Sequence, residues 1–167
     1  MNLPAEFEPK VHLLLERLEQ SGWRLATAES CTGGLLSCLV TDIEGLSHSF
    51  DSGFIVYSDS AKERMLGVTP ALLASKGAVS SEVAEAMAKG ALHRSSCDVA
   101  VSITGYAGSA GADGKAGLVY LTCASRDGEP RTAKLDSFET GRTAVRLAAT
   151  MKAIEMLLEV IPSTSRK

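Results

Sequence analysis

The chain has 167 residues, of which 45% are hydrophobic and 22% charged, as in a folded globular protein with one sizeable core. Its 17 basic and 20 acidic residues give a formal net charge of -3, which argues against a dedicated nucleic-acid binder because such a protein needs a basic face. No run approaches the roughly 20 apolar residues of a membrane span, and residues 1–20 do not read as a signal peptide. We therefore expect a cytoplasmic protein that binds neither membranes nor nucleic acid.

The cysteines and histidines do not show the pattern of a metal or redox site. No pair of cysteines has C-x-x-C spacing, and the histidines are scattered along the chain. We therefore expect reduced thiols, no metal ion and no cofactor. The residues concerned are Cys31, Cys38, Cys97, Cys123, His12, His48 and His93.

The first 94 residues alternate between predicted helices and strands. Apolar side chains recur on one helical face over residues 7–18, and Gly22 is a natural stop for that helix. A short strand is predicted next, and aromatic and β-branched residues predict a second one further on. The strands are predicted at residues 24–28 and 50–57, and further helices at 35–43, 58–66, 70–76 and 81–94.

The second half of the chain adds strands and a final helix. Residues 99–104 alternate large and small side chains, and a glycine-rich loop over 105–117 leads to an apolar run typical of a central strand. The remaining elements are predicted at residues 118–124, 131–138 after a turn at Asp127-Gly128, and 142–160. This order predicts a single domain over residues 1–167, an α/β protein with a three-layer α/β/α sandwich and a mixed, mostly parallel sheet of about five strands.

A serine stands where the first strand turns into a helix. Ser30 would lie next to the unpaired N–H groups at the start of that helix. We expect an oxyanion to be stabilised there by the backbone N–H groups of Cys31, Thr32, Gly33 and Gly34. On local sequence alone, a capping role for Ser30 or Thr32 is the commoner outcome. Cys31 is a rival nucleophile without a histidine nearby in the sequence.

A lysine stands near the start of the next helix. The helix dipole and burial would both lower the pKa of Lys62, as a general base near neutral pH requires. Tyr57, at the end of the second strand, is placed to relay a proton in the same space. The alternative is an ordinary solvated lysine and a half-buried aromatic residue.

Two arginines at the start of the last helix indicate an anion. Arg142 and Arg146 share one helical face where the dipole opposes both, so either a bound phosphate or a carboxylate such as Glu139 would compensate them. The loop containing Gly105, Ala107 and Gly108 is flexible enough to wrap a substrate, although glycine-rich loops after strands are common.

Taken together, these segments resemble the CinA C-terminal domain family over residues 22–158. The motifs that carry the resemblance are TAESCTGG at 27–34, GFIVYS at 53–58 with Ala61-Lys62, LGV at 66–68, GAVS at 77–80, SITGYAG at 102–108 and Gly141-Arg142. Family members usually have a longer, proline-containing version of the glycine-rich loop at 105–117. In this chain Ser109 replaces an expected proline, and Lys115-Ala116-Gly117 replaces a later motif of that loop.

The resemblance implies a three-layer fold and an amidase that needs no metal. Its expected reaction is hydrolysis of nicotinamide mononucleotide to nicotinate mononucleotide and ammonia in pyridine nucleotide recycling, with a Ser30–Lys62 dyad assisted by Tyr57. We add the inference that Arg142, with Arg146, holds the phosphate of this small-molecule substrate. A non-catalytic nucleotide-binding or regulatory module and an amidase for another small amide stay open, as does a homo-oligomer.

Overall fold

A computed structural model of the protein describes residues 4–108, 116–136 and 141–163. Helices and strands alternate along most of these ranges. The helices are α1 (Phe7–Ser21), α2 (Leu35–Thr41), α3 (Asp59–Leu66), α4 (Pro70–Lys76), α5 (Ser81–Arg94) and α6 (Arg142–Val160). The strands are β1 (Leu25–Glu29), β2 (Phe50–Ile55), β3 (Val99–Gly105), β4 (Leu118–Ser125) and β5 (Gly128–Asp136).

The five strands form one mixed sheet in the order β2-β1-β3-β4-β5. β1 pairs in parallel with both β2 and β3, whereas β4 pairs antiparallel with β3 and with β5. Four strands therefore run in one direction and β4 runs against them, which confirms the predicted mixed, mostly parallel sheet. The apolar run at residues 118–124 is an inner strand, as predicted.

Helices cover both faces of the sheet. One buried apolar cluster joins α1, α2 and α6 to the sheet, and a second one joins α3, α4 and α5 to its other face. Along β3, Val99, Val101 and Ile103 enter the first cluster and Ala100 enters the second, as the alternating direction of strand side chains requires. The predicted three-layer α/β/α sandwich is confirmed.

The largest differences from the predicted element boundaries are in α2, β2 and β5, and other ends shift by about one residue. Helix α2 stops at Thr41, where the Asp42 N–H bonds to the carbonyl of Leu39, three residues back. Strand β2 stops at Ile55, so Tyr57 lies in the loop beyond it. Strand β5 begins at Gly128, directly after a tight turn.

Some predicted features fall on residues outside the described ranges. These features are the predicted end of β5 at residues 137–138, the possible carboxylate partner Glu139, and Ser109 and Lys115 of the glycine-rich loop. Within the described ranges, none of the helices combines the length and the apolarity that a bilayer crossing requires.

The parallel strands determine where a ligand can bind. The carboxyl ends of β1, β2 and β3 meet at one edge of the sheet, as in other open α/β sheets that bind ligands there. The loops that follow these strands contain Ser30, Tyr57 and the segment 106–108. The segments that contain the candidate catalytic and binding residues thus come together at one edge of the sheet.

Candidate active site

A cavity of about 310 Å³ opens at this edge of the sheet. It brings together side chains and backbone from five separate segments of the chain. Its lining residues are Ser30, Cys31, Tyr57, Asp59, Lys62, Ala78, Val79, Thr104, Gly105, Tyr106, Ala107, Gly108 and Arg142. A depression of about 330 Å³ between α1 and α2 is lined by apolar and acidic residues without a nucleophile. We therefore place the candidate active site in the first cavity.

Ser30 lies in a tightly bonded turn between β1 and α2. Its N–H donates to the carbonyl of Ile103 at 3.0 Å, and its own carbonyl accepts from the N–H of Gly33 at 3.1 Å. Gly33 and Gly34 have φ angles of 60° and 90°, a left-handed backbone that glycine adopts without strain. Only 7% of Ser30 is exposed. The turn therefore holds the hydroxyl at the cavity wall.

Helix α2 is capped by Glu29 and not by Ser30 or Thr32. The buried Glu29 carboxylate accepts from the N–H groups of Gly34 (3.1 Å), Leu36 (3.2 Å) and Ser37 (2.9 Å), and from the Ser37 hydroxyl (2.7 Å). Gly34, the residue at the N-cap position, has no side chain that could make this bond. The expected capping role for Ser30 or Thr32 is therefore wrong, because a carboxylate supplied by the strand occupies the donors.

This cap reduces the number of backbone N–H groups that are available to an oxyanion. The N–H of Gly34 donates to Glu29 and that of Gly33 donates to Ser30, so neither is available to a substrate. Among the backbone–backbone hydrogen bonds of the described residues, none uses the N–H of Cys31 or Thr32, although the Cys31 N–H interacts with its own thiol. These two groups are the remaining donors beside the Ser30 hydroxyl. The Thr32 hydroxyl is also buried without a hydrogen-bond partner.

Lys62 lies on α3 with its amine buried at the cavity. The residue is 1% exposed, and its Nζ donates to the carbonyl of Tyr57 at 3.4 Å and lies 3.6 Å from the Asp59 carboxylate. Burial lowers the pKa of Lys62 below its usual 10.5, while the negative charge of Asp59 opposes that decrease. Ser58 caps α3 by accepting from the N–H of Ala61 at 3.2 Å.

Ser30 and Lys62 line the same cavity but are not hydrogen-bonded to each other. Among the hydrogen bonds of the described residues, none joins the Ser30 hydroxyl to the Lys62 amine. The alternative of a solvated surface lysine does not hold, because this side chain is buried. The structure thus gives the two groups one common space, with the lysine directed toward Tyr57 and Asp59.

Tyr57 lies at the mouth of the cavity. The residue is 64% exposed, and its hydroxyl oxygen accepts a hydrogen bond from Nη2 of Arg142 at 3.4 Å. Its contact with Lys62 goes through the backbone carbonyl and not through the phenol. Arg142, the first residue of α6, also lines the cavity. The phenol is therefore paired with an arginine near the entrance.

The side chains of Arg142 and Arg146 on α6 contact different parts of the molecule. The Nε and Nη2 atoms of Arg146 donate to the carbonyl of Thr32 at 3.2 Å and 2.6 Å. Arg146 lines a separate depression of about 220 Å³, together with Gly33 and Gly34. Of the two arginines expected to hold a phosphate, Arg142 lines the cavity and Arg146 is bonded to Thr32. Arg146 instead braces the turn that carries Ser30.

The rival nucleophile Cys31 has an unreactive environment. Burial is the main cause that raises the pKa of its thiol to about 11, and the nearby Glu29 carboxylate adds to the effect. A thiol with this pKa is neutral near pH 7 and is a weak nucleophile. Ser30 is therefore the better candidate at this turn.

The glycine-rich loop forms the opposite wall through Gly105, Ala107 and Gly108. A Cβ atom on Gly105 would lie 2.7 Å from the carbonyl oxygen of Leu118, so only glycine fits. The backbone of Tyr106 bonds to Leu118 and Gly117, each at 2.9 Å, which ties this wall to the start of β4. The wall is thus anchored on the sheet at Tyr106.

Sequence reasoning missed Glu29, Asp59 and Tyr106 as parts of this site. The i,i+3 spacing of Asp59 and Lys62 on one helix was a usable signal, since such residues are neighbours on a helical surface. No comparable spacing rule identifies a strand residue that caps the following helix. Within residues 4–108, 116–136 and 141–163, no three His, Cys, Asp or Glu side chains are grouped as metal ligands would be.

Residues 8–161 match the sequence profile of the CinA C-terminal domain. The chain belongs to that family. It is 45% identical over 143 residues to the nicotinamide-nucleotide amidohydrolase PncC of Enterobacter agglomerans, covering 84% of this chain and 87% of that protein. It is 44% identical to a CinA-like protein of Geobacter sulfurreducens, covering 92% of this chain but 37% of that protein. Relatives of the second kind are thus much longer than the matched region.

Solved structures show the same fold. The competence/damage inducible protein CihA from Agrobacterium tumefaciens superposes with a TM-score of 0.91 at 40% identity, covering 95% of this chain and 98% of that one. A competence or damage-inducible protein from Enterobacter asburiae gives a TM-score of 0.87 at 34% identity, covering 93% and 98%. The family assignment that the motifs suggested is therefore confirmed.

Proposed function

We propose that this protein is an amidohydrolase that converts nicotinamide mononucleotide into nicotinate mononucleotide and ammonia, for the recycling of pyridine nucleotides. The observation that carries the proposal is one cavity lined by both the Ser30 hydroxyl and a buried lysine, Lys62, whose pKa is lowered by burial. The name of the Enterobacter agglomerans relative, which covers most of both chains, supports this choice of substrate.

In the first step, neutral Lys62 accepts the Ser30 proton while the Ser30 oxygen bonds to the carboxamide carbon. A serine hydroxyl is a weak nucleophile and needs such a base. The step requires a small side-chain movement, because the amine rests against Tyr57 and Asp59. Lys62 then returns the proton to the amide nitrogen as the carbon–nitrogen bond breaks, and ammonia leaves.

Water completes the reaction. It attacks the ester carbonyl, Lys62 takes the water proton and passes it to the Ser30 oxygen, and the carboxylate product is released. In both steps of the reaction, the tetrahedral oxyanion lies beside the N–H groups of Cys31 and Thr32, neither of which donates to a backbone carbonyl of the described residues. Arg146 holds the Thr32 carbonyl and so orients these donors.

The nucleotide phosphate binds at the cavity mouth. Arg142 lines the cavity with its guanidinium beside the Tyr57 hydroxyl, and guanidinium groups bind phosphate oxygens in a bidentate manner. Tyr57 orients this arginine through the hydrogen bond between them. Arg146 is committed to Thr32 and serves the turn, so we assign the phosphate to Arg142.

The test is ammonia release from nicotinamide mononucleotide by the purified protein. We expect Ser30→Ala to reduce the rate by at least about 10⁴-fold and Lys62→Met by about 10²- to 10⁴-fold. Ser75→Ala and Lys89→Met change the same residue types on exposed surfaces outside the cavity and serve as matched controls. Both controls should retain the wild-type rate.

The same assay separates the two alternatives. Binding of the nucleotide by wild-type protein without any ammonia would favour a non-catalytic module. Ammonia from another small amide, but none from nicotinamide mononucleotide, would favour a different amidase. Full activity in Ser30→Ala would contradict the assignment of the nucleophile.

A further inference from the structure

Asp59 is placed to act on Lys62. Its carboxylate lies 3.6 Å from the buried amine, three residues earlier on the same helix, and it lines the cavity. The two partners differ sharply in solvent access, since the Lys62 side chain is 2% exposed and that of Asp59 is 59% exposed. Asp59 is also the first residue of α3, where the helix dipole favours a negative charge.

Few other charges face the Lys62 amine. The loop after β2 contributes the Tyr57 phenol, and the turn after β1 contributes the Cys31 thiol, whose pKa of about 11 keeps it neutral near pH 7. The segment before α5 contributes only Ala78 and Val79 to the cavity, and the Arg142 guanidinium approaches through the Tyr57 hydroxyl. Asp59 is thus the anion that faces the amine in the described part of the cavity.

We propose that Asp59 is a positioning residue that sets how readily the Lys62 ammonium releases its proton, and thereby the pH at which the enzyme becomes active. The proposal rests on the proposed role of Lys62 as the base. The ammonium must lose one proton to solvent before it can accept the Ser30 proton. Burial favours that loss, whereas the ion pair with Asp59 opposes it.

The direct test follows Lys62 itself by NMR. We would record the pH titration of the Lys62 side-chain signal, assigned by its absence in Lys62→Met, in wild-type protein and in Asp59→Asn. Removing the carboxylate should move the midpoint to lower pH, and Asp59→Glu should keep it close to wild type. Glu85→Gln removes an equal charge from an exposed pair with Lys89 on α5 and should not move the Lys62 midpoint.

The pH–rate profile gives the functional readout. On the acid limb, Asp59→Asn should be about two- to fivefold more active relative to its own plateau, the size expected for one partly exposed ion pair. A purely structural role in the first turn of α3 would instead lower thermal stability and leave the titration in place. Asp59→Ser provides a second neutral residue if Asp59→Asn folds poorly.

The outcomes separate this inference from the proposed function. A Lys62 midpoint that is the same in Asp59→Asn and in wild-type protein overturns the inference. A midpoint that moves, in a protein that releases no ammonia from any amide, supports the ion pair and contradicts the amidase. A midpoint that moves together with the acid limb supports both.

Discussion

The nucleophile half of the cavity, residues 29–37, and the base half, residues 57–62, each run from the end of a strand into a helix, but different groups close the two turns. In the nucleophile half, the buried Glu29 carboxylate takes four hydrogen bonds from the start of α2. In the base half, an exposed serine, Ser58, caps α3 and an exposed carboxylate faces the buried amine.

This difference matches what each half has to do. An attacking oxygen works only within a narrow geometry, so the turn that carries Ser30 benefits from the buried hydrogen bonds of Glu29. A general base must exchange protons with water, so Lys62 needs a partner that solvent can reach. The rigid half and the adjustable half thus meet in one cavity.

The largest expected effect on stability lies in the nucleophile half. Glu29→Ala leaves three N–H groups and the Ser37 hydroxyl without their acceptor, and it should lower the free energy of unfolding by about 3–5 kcal/mol. Removing the cap of the base half with Ser58→Ala should cost about 1 kcal/mol. Urea denaturation of both variants measures the contrast.

Two further expected results test the difference in stability between the Glu29 and Ser58 variants. Glu29→Gln keeps one acceptor oxygen and should be less destabilising than Glu29→Ala. If Ser58→Ala proved as costly as Glu29→Ala, the two turns would be equally rigid and the comparison between them would fail.

Much of the fold follows from the sequence, since periodicity located the elements and Gly22 marked the end of α1. The side-chain alternation of residues 99–104 indicated a strand with one face of large residues and one of small residues, as found. The end of α2 was placed too late because Ile43 continues the apolar pattern, whereas the chain already turns at Asp42. Local patterns thus locate elements better than they locate ends.

The site was less predictable than the fold. Ser30, Tyr57, Lys62 and Arg142 meet in one cavity, as their positions after parallel strands led us to expect. The commitment of Arg146 to the Thr32 carbonyl depends on how α6 packs against α2, a tertiary contact that helical spacing does not encode. The hydrogen bonds between the Glu29 carboxylate and the start of α2 likewise cannot be read from local spacing.

A smaller effect on stability, of opposite sign, is expected in the base half. Lys62→Met removes an amine that is costly to bury and should raise the free energy of unfolding by about 1–2 kcal/mol at pH 7, although we expect it to slow the proposed reaction. Because folding lowers the pKa of Lys62 below 10.5, the unfolded chain binds more protons than the folded one between these values. Wild-type stability therefore rises with pH in that window, and the advantage of the variant should shrink there.

Lys89 on α5 provides the matched control for this measurement. The Glu85 carboxylate raises the pKa of Lys89 in the folded state, so its stabilising contribution is present below 10.5 and disappears as the pH rises through the folded pKa. Lys89→Met should thus change the pH dependence of stability in the opposite direction. A Lys62→Met protein less stable than wild type at pH 7 would show that the buried amine is favourably paired.

The smallest expected effect is chemical and concerns access to the nucleophile half. The Cys31 thiol is buried with a pKa of about 11, and Cys38 on the outer side of α2 is exposed. At pH 7.5, iodoacetamide should therefore label Cys38 first, since it reacts with accessible thiolates. In Cys38→Ser the remaining thiols are buried, so labelling measured by peptide mass spectrometry should be slow, rise toward pH 11 and become complete in denaturant. Fast labelling of Cys31 at pH 7.5 would mean that solvent enters this turn as freely as the base half, and a buried network would then no longer distinguish the two.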